Sequence, residues 1–195
     1  MNQTILLTSF NVWRSHQPSN SSDDLLELVA GIAPSGICPQ SLTFLRKLPV
    51  DFQLAPELAI ATVTQMQPDI IICCGMAESR SRLSIESRAR NGERTLYTPV
   101  DLDRLVSRLC DTDISHDAGN FVCEALYYAL LRHLSRQGFL TKCIFVHVPR
   151  LTPENTNCIM ADFLTIIQTL SRWGIRSTRR AIVSRELSSL PLGFR

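Results

Sequence analysis

The sequence predicts an α/β fold with a mostly parallel central sheet, arranged as one three-layer α/β/α domain. Three observations carry that expectation. Strand and helix signals alternate along the chain. Two runs, Ile70 to Cys74 and Lys142 to Val148, are so largely apolar that they read as strands covered on both faces. A chain of 195 residues is also long enough to bury one core without disulfides or metals.

Taken in order, Ile5 to Phe10 reads as the first strand. A polar loop through Gln17, Pro18, Ser19 and Asn20 leads to a helix capped by Ser21 or Ser22 and begun by Asp23 and Asp24. Leu48 to Phe52 is the next strand signal. Pro56 to Gln67 predicts a helix, since Ala59, Val63 and Met66 share one face and Pro68 ends the run. The buried strand Ile70 to Cys74 follows. Pro99 to Cys110 predicts an amphipathic helix from Leu102, Leu105, Val106 and Leu109. Thr112 to Ser115 reads as a short strand, Phe121 to Leu134 as a buried helix, and Lys142 to Val148 as a strand closed by Pro149. Thr152, Pro153 and Glu154 open a last helix reaching about Trp173, because threonine caps and proline suits the first helical position.

Composition narrows the function. With 45% hydrophobic residues, 19% charged residues and a net charge of +2, nothing general points to nucleic acid. The seven cysteines are odd in number and irregular in spacing, which suits a reducing cytoplasm better than a disulfide framework. Cys73, Cys74, Cys110, Cys143 and Cys158 are expected to be core or helix-packing residues. The absence of Cys-x-x-Cys or Cys-x-His clusters argues against zinc. The start of the chain lacks a basic n-region, and no stretch approaches transmembrane length, so a soluble cytoplasmic protein with no membrane partner is expected.

Chemistry concentrates in the segment Ser115-His116-Asp117-Ala118-Gly119-Asn120-Phe121-Val122-Cys123. It joins a strand signal to a helix signal, with Gly119 easing the turn, so Cys123 falls in the first helical turn. Unpaired N–H groups and the helix dipole favour a thiolate there. In α/β sheets function gathers beyond the carboxyl ends of strands. Four such segments are Ser9 to His16, Gly75 to Asn91, Ser115 to Cys123 and His147 to Leu151; they supply aromatic rings, carboxylates, a thiol and an imidazole. A nucleophile, a general base and an orienting carboxylate can be drawn from Cys123, His147 and either Glu86 or Glu78.

These residues resemble a known family. Ala-Gly-x-Phe-Val-Cys at 118–123, with Ser115 before it, is similar to the cysteine motif of the pyroglutamyl peptidase I (pyrrolidone carboxyl peptidase) family. Gly75, Leu83, Ser84, Glu86, Ala89 and Asn91 resemble its glutamate motif, and Phe145-Val146-His147-Val148-Pro149 its histidine segment. Ile5-Leu6-Leu7-Thr8-x-Phe10 resembles its first strand, with Trp13 at a second aromatic position. The resemblance implies a cysteine exopeptidase that removes N-terminal pyroglutamate from peptides or small amides without metal or cofactor, and it suggests a homo-oligomer. Carried over, Cys123 is the nucleophile, His147 the base and later acid, and Glu86 the orienting carboxylate. Phe10 and Trp13 sandwich the lactam ring, backbone groups near Val122 bond its edge, and Met76 forms part of the pocket.

Departures from the family pattern gather around the pocket. Ser87 and Arg88 stand where a basic and then an apolar residue are usual, Glu78-Ser79 replaces a glycine-rich turn, and Ser9 replaces a glycine. Val12-Trp13-Arg14-Ser15 replaces Pro-Phe-Gly-Gly, Glu124 replaces a smaller polar residue, and Met76 replaces a glutamine or leucine. A catalytically weak member with an altered pocket is therefore the alternative reading. From about residue 171 the chain is basic, with Arg172, Arg176, Arg179, Arg180, Arg185 and Arg195 against Glu186 alone, and no function is assigned to it.

Overall fold

The computed structural model describes residues 3–15, 17–32 and 41–173. Its elements in chain order are β1 (Ile5–Phe10), α1 (Ser21–Gly31), β2 (Leu42–Leu48), α2 (Leu54–Met66), β3 (Ile70–Met76), β4 (Leu83–Glu86), β5 (Arg88–Asn91), β6 (Arg94–Tyr97), α3 (Leu102–Val106), β7 (Thr112–Ser115), α4 (Val122–Gln137), β8 (Lys142–Val148) and α5 (Thr156–Arg172). Six strands form one sheet in the order β2-β1-β3-β8-β4-β7, and β5 with β6 forms a separate antiparallel ribbon. Every junction of the large sheet is parallel except that between β8 and β4.

The period-two alternation of the strands sends successive side chains into two cores. Ile70, Ile72, Cys74, Ile144 and Val146 meet α1, α3 and α5 on one face. Ile71, Cys73, Cys143 and Phe145 meet α2 and α4 on the other. The sheet is thus the middle of three layers, as the apolar runs predicted.

Several boundaries differ from expectation, each for a local reason. The α1 cap is Asn20, whose side chain accepts from the Ser22 N–H. The second strand lies earlier, at Leu42–Leu48, because Asp51 Oδ1 accepts the N–H groups of Gln53 and Leu54, each at 2.8 Å, and turns residues 49–53 into the entry of α2. The helix expected over Pro99 to Cys110 shrinks to Leu102–Val106. The buried carboxylate of Asp162 takes the N–H groups of Cys110 and Asp111, each at 2.8 Å, in place of helical carbonyls. Before α5, Asn155 Oδ1 accepts from the Thr152 N–H at 2.8 Å, so Thr152 to Asn155 form a turn and the helix begins at Thr156. Cys110 and Cys158 are exposed rather than packed, whereas Cys73, Cys74 and Cys143 are buried as expected. Cys38 and the basic residues beyond Trp173 lie outside the described residues.

Candidate active site

Cys123 is the second residue of α4, reached through a turn in which Gly119 has a φ of 86° that side-chain-bearing residues rarely adopt. Phe121, in the cap position, provides no side-chain hydrogen bond to the first turn, and Val122 is buried at its start. The N–H groups at this end of the helix thus receive no capping side chain.

The thiol packs over β3 at Gly75. A Cβ at that position would lie 2.7 Å from Cys123 Sγ and 2.8 Å from Phe145 Cζ, so only glycine leaves room for the sulfur. Gly75 is in register with His147 on β8, and period-two alternation puts both on the α4 face. Thiol and imidazole therefore lie over the same face of one pair of strands.

Glu86 arrives by a route the sequence reading did not foresee. Its strand, β4, runs against β8, with Glu86 opposite Phe145 and Ser84 opposite His147. Glu86 and His147 are diagonal neighbours on one face, the separation at which long side chains on adjacent strands meet. Glu86 Oε1 lies 2.7 Å from His147 Nδ1, and both residues are buried. Burial alone would raise the Glu86 carboxyl. The hydrogen bond and charge of His147, with help from Arg80, instead hold it below its ordinary value. An ionised carboxylate can only accept, so Nδ1 carries the proton and Nε2 is the nitrogen left to receive one.

Between the two candidate carboxylates, the geometry selects Glu86. Glu78 is exposed and ion-pairs with Arg14 at 3.5 Å. Arg80, which sequence reasoning missed, lies 2.9 Å from Glu86 Oε1 and donates to Ser115 Oγ at 3.2 Å and to the Asp117 carbonyl at 3.1 Å. The signal for it was indirect: a carboxylate on a strand with both faces covered needs a cationic neighbour.

The thiol departs from expectation. Although Cys123 as a residue is only half-buried, the protein packed around its sulfur pushes the thiol up to about 12, and the charge of Glu86 adds to that rise. A contact with the residue's own N–H works in the opposite direction without prevailing. The helix start therefore does not by itself make a resting thiolate.

The pocket residues are partly redistributed. Phe10 is 2% exposed and belongs to the core with Leu48 and Ala55, so it does not sandwich a ring against Trp13. Trp13 stands at the surface with its ring 4.5 Å from that of Phe121, whose edge-on neighbour at 5.7 Å is Phe52. Phe52 was not singled out in the sequence, and Phe121 figured there only within the cysteine motif and not as a pocket residue. The position of Phe121, two residues before the thiol, was the available signal. Met76 is not beside the thiol: alternation turns it to the opposite face, where its sulfur accepts from the Ser21 N–H at 3.4 Å. Glu124, next to the thiol in sequence, is buried on the Arg90 N–H, and burial raises its carboxyl. Among the described residues no group of His, Cys, Asp and Glu is arranged to hold a metal ion, and no helix is long and apolar enough to cross a membrane.

Comparison with known proteins accords with this geometry. A family model described as pyroglutamyl peptidase matches residues 92–162. The chain is 23% identical to pyrrolidone-carboxylate peptidase 2 of Caldanaerobacter subterraneus, over 69% of this chain and 81% of that protein. It is 24% identical to the Bacillus subtilis pyrrolidone-carboxylate peptidase, over 80% and 82% of the two chains. Among solved structures, pyroglutamyl peptidase I from Bacillus amyloliquefaciens superposes with a TM-score of 0.73 at 21% identity, covering 88% of this chain and 98% of that one. A variant pyrrolidone carboxyl peptidase from Pyrococcus furiosus gives a TM-score of 0.72 at 21% identity, over 86% and 97%. The sheet and its two helical layers are an α/β fold shared with these solved structures. More particularly, the chain is similar to pyroglutamyl peptidases, through a family model that matches residues 92–162 and relatives at 23–24% identity.

Proposed function

We propose that the protein is a cysteine exopeptidase that hydrolyses the amide bond after an N-terminal pyroglutamyl residue, with Cys123 as nucleophile, His147 as base and acid, and Glu86 as the orienting carboxylate. The observation that carries the reading is the buried 2.7 Å contact between Glu86 and His147, on the face where Cys123 packs over Gly75. His147 Nε2 takes the thiol proton as Sγ attacks the amide carbonyl carbon. Because the resting thiol sits near 12, transfer and attack proceed together rather than from a stored thiolate. The N–H groups at the start of α4 face the developing oxyanion. Imidazolium then protonates the leaving amine, giving a thioester on Cys123. Water, deprotonated by His147, attacks that thioester and releases pyroglutamate and the thiol. Trp13 and Phe121 offer apolar faces for the lactam, and Val122 offers backbone groups for its edge. No step calls for a metal or cofactor; the partner is a peptide or small amide, and homo-oligomers follow the family resemblance.

The test is hydrolysis of a pyroglutamyl fluorogenic amide by the purified protein, beside prolyl and glutamyl controls and with Cys123→Ser as the blank. Cleavage of the pyroglutamyl amide alone, lost in Cys123→Ser, is expected. The raised thiol and the inward Phe10 favour a second reading, a weak member that binds rather than turns over. Saturable binding of the pyroglutamyl amide without turnover would select it.

A further inference from the structure

The antiparallel ribbon of β5 and β6 stands apart from the large sheet, yet it grips the segment that carries Cys123 on both sides of the thiol. Arg88 and Arg90 share one face of β5, while Ala89 between them is buried in the core under α4. Upstream of the thiol, Arg88 Nε donates to the His116 carbonyl at 2.9 Å, and Arg90 Nη2 lies 2.6 Å from Asp117 Oδ1. The same Asp117 oxygen accepts the Gly119 N–H at 3.1 Å, within the turn that leads into α4. Downstream, the Arg90 N–H donates to Glu124 Oε1, and Arg90 Nε is 4.0 Å from that oxygen. One residue of the ribbon thus holds both Asp117 and Glu124, with Cys123 between them.

Stability does not account for these contacts. The Arg90–Asp117 pair is open to solvent, where an ion pair adds little. Glu124 is buried, its Oε2 has no partner, and burial raises its carboxyl, so the fold bears a local cost to keep an acceptor there. We propose that the ribbon is a clamp that positions Cys123 for attack, with Arg90 and Glu124 as its positioning residues. The inference rests on the exopeptidase reading above. Attack needs Sγ and the N–H groups at the start of α4 to face one carbonyl together, and a misplacement of about 1 Å costs about a hundredfold in rate. Glu124 fixes the first turn of α4 and Arg90 the turn before it, so both act through the backbone of the segment rather than on the substrate.

The test uses two variants. Arg90→Ala cuts the arm to Asp117 but keeps the N–H donated to Glu124, and Glu124→Ala removes the buried arm. In both, kcat on a pyroglutamyl fluorogenic amide should fall by about ten- to a hundredfold with KM little changed. Arg90→Lys, which restores a cation for Asp117, should recover part of the loss. Mass-spectrometric mapping of thiol alkylation gives a readout independent of turnover. A released segment exposes the Cys123 sulfur, so Cys123 should be labelled faster in both variants while buried Cys73 and Cys143 stay unmodified. Unchanged kcat in either variant overturns the clamp, as does labelling of Cys73 and Cys143 along with Cys123, which marks a general loosening of the fold. Should the wild type cleave no pyroglutamyl amide, the exopeptidase reading fails and labelling alone decides. Faster alkylation of Cys123 then upholds the clamp, and an unchanged rate overturns it.

Discussion

Replacing Gly75 by alanine tests the site at its tightest point. The added methyl carbon would lie 2.7 Å from Cys123 Sγ, 2.8 Å from Phe145 Cζ and 3.0 Å from Phe145 Cε1. β3 is paired on both sides, by β1 and β8, so its backbone has little freedom to retreat. The sulfur and the Phe145 ring must therefore move instead. Overpacking of this kind costs about 1–3 kcal/mol of stability. A displacement of order 1 Å at the nucleophile lowers turnover by about a hundredfold. The assays are urea denaturation and kcat/KM on a pyroglutamyl fluorogenic amide. A double-mutant cycle with Cys123→Ala separates the two clashes. Removing the sulfur should recover part of the stability lost in Gly75→Ala, while the share due to Phe145 persists. Full activity and unchanged stability in Gly75→Ala would refute the packing of the thiol over β3, and so the route by which thiol and imidazole are held together.

Other expectations follow from the same contacts. Burial holds the Cys123 thiol well above its ordinary value, so little thiolate is present at pH 7. Brief iodoacetamide treatment should therefore label exposed Cys110 before Cys123, and mass-spectrometric mapping that found Cys123 first would contradict the raised thiol. Glu86→Gln keeps the shape but removes the charge that favours imidazolium, so kcat should drop roughly 10²–10⁴-fold, read in the same fluorogenic assay. The carboxyls of Glu86 and Asp23 are both held below their ordinary values of 4.5 and 3.8. Their stabilising effect is present above those values and is lost as pH falls through the lowered ones, so thermal melts should weaken on acidification, and less so in Asp23→Asn. Asp162→Ala leaves the N–H groups of Cys110 and Asp111 and the Thr112 hydroxyl without their acceptor, and should destabilise by about 3 kcal/mol in urea melts.

Much of this was legible in the residues, and where it was not the reason is physical. β3 and β8 could be read because strands with both faces covered are apolar throughout, and β8 was bounded as observed. The placement of Cys123 followed from a turn signal feeding an apolar run of helical length. Of the four-residue strands, β7 was read from its turn signals, whereas β4, β5 and β6 were not, and the reversal of β4 is a matter of pairing that no local signal encodes. Met76 is a different case. Cys73 and Gly75 share one face of β3 and Cys74 shares the other with Met76, so a strict count of alternation places Met76 away from the thiol. The same count along β1 puts Phe10 on the face of Leu6, in the core. Resemblance assigned both residues to the pocket; parity turns Met76 to the other face, whereas Phe10 stays on the thiol's face and is set apart only by its burial beside Leu48 and Ala55.

The reversed strand also explains why Arg80 matters to a site it does not enter. Glu86 is wholly buried, and an ionised carboxylate in that setting persists only with compensating charge and hydrogen bonds. His147 supplies one contact and Arg80 the second, at 2.9 Å on the same oxygen. Arg80 sits in the turn between β3 and β4, yet its other nitrogen donates to Ser115 and to the Asp117 carbonyl, at the root of the segment that carries Cys123. One guanidinium thus ties the carboxylate that orients the base to the loop that presents the nucleophile. A shift of that loop would strain the Arg80 contact to Glu86 and, through Glu86, the aim of the imidazole. The thiol and its base are therefore held in register from two directions, by Gly75 beneath the sulfur and by Arg80 behind the carboxylate.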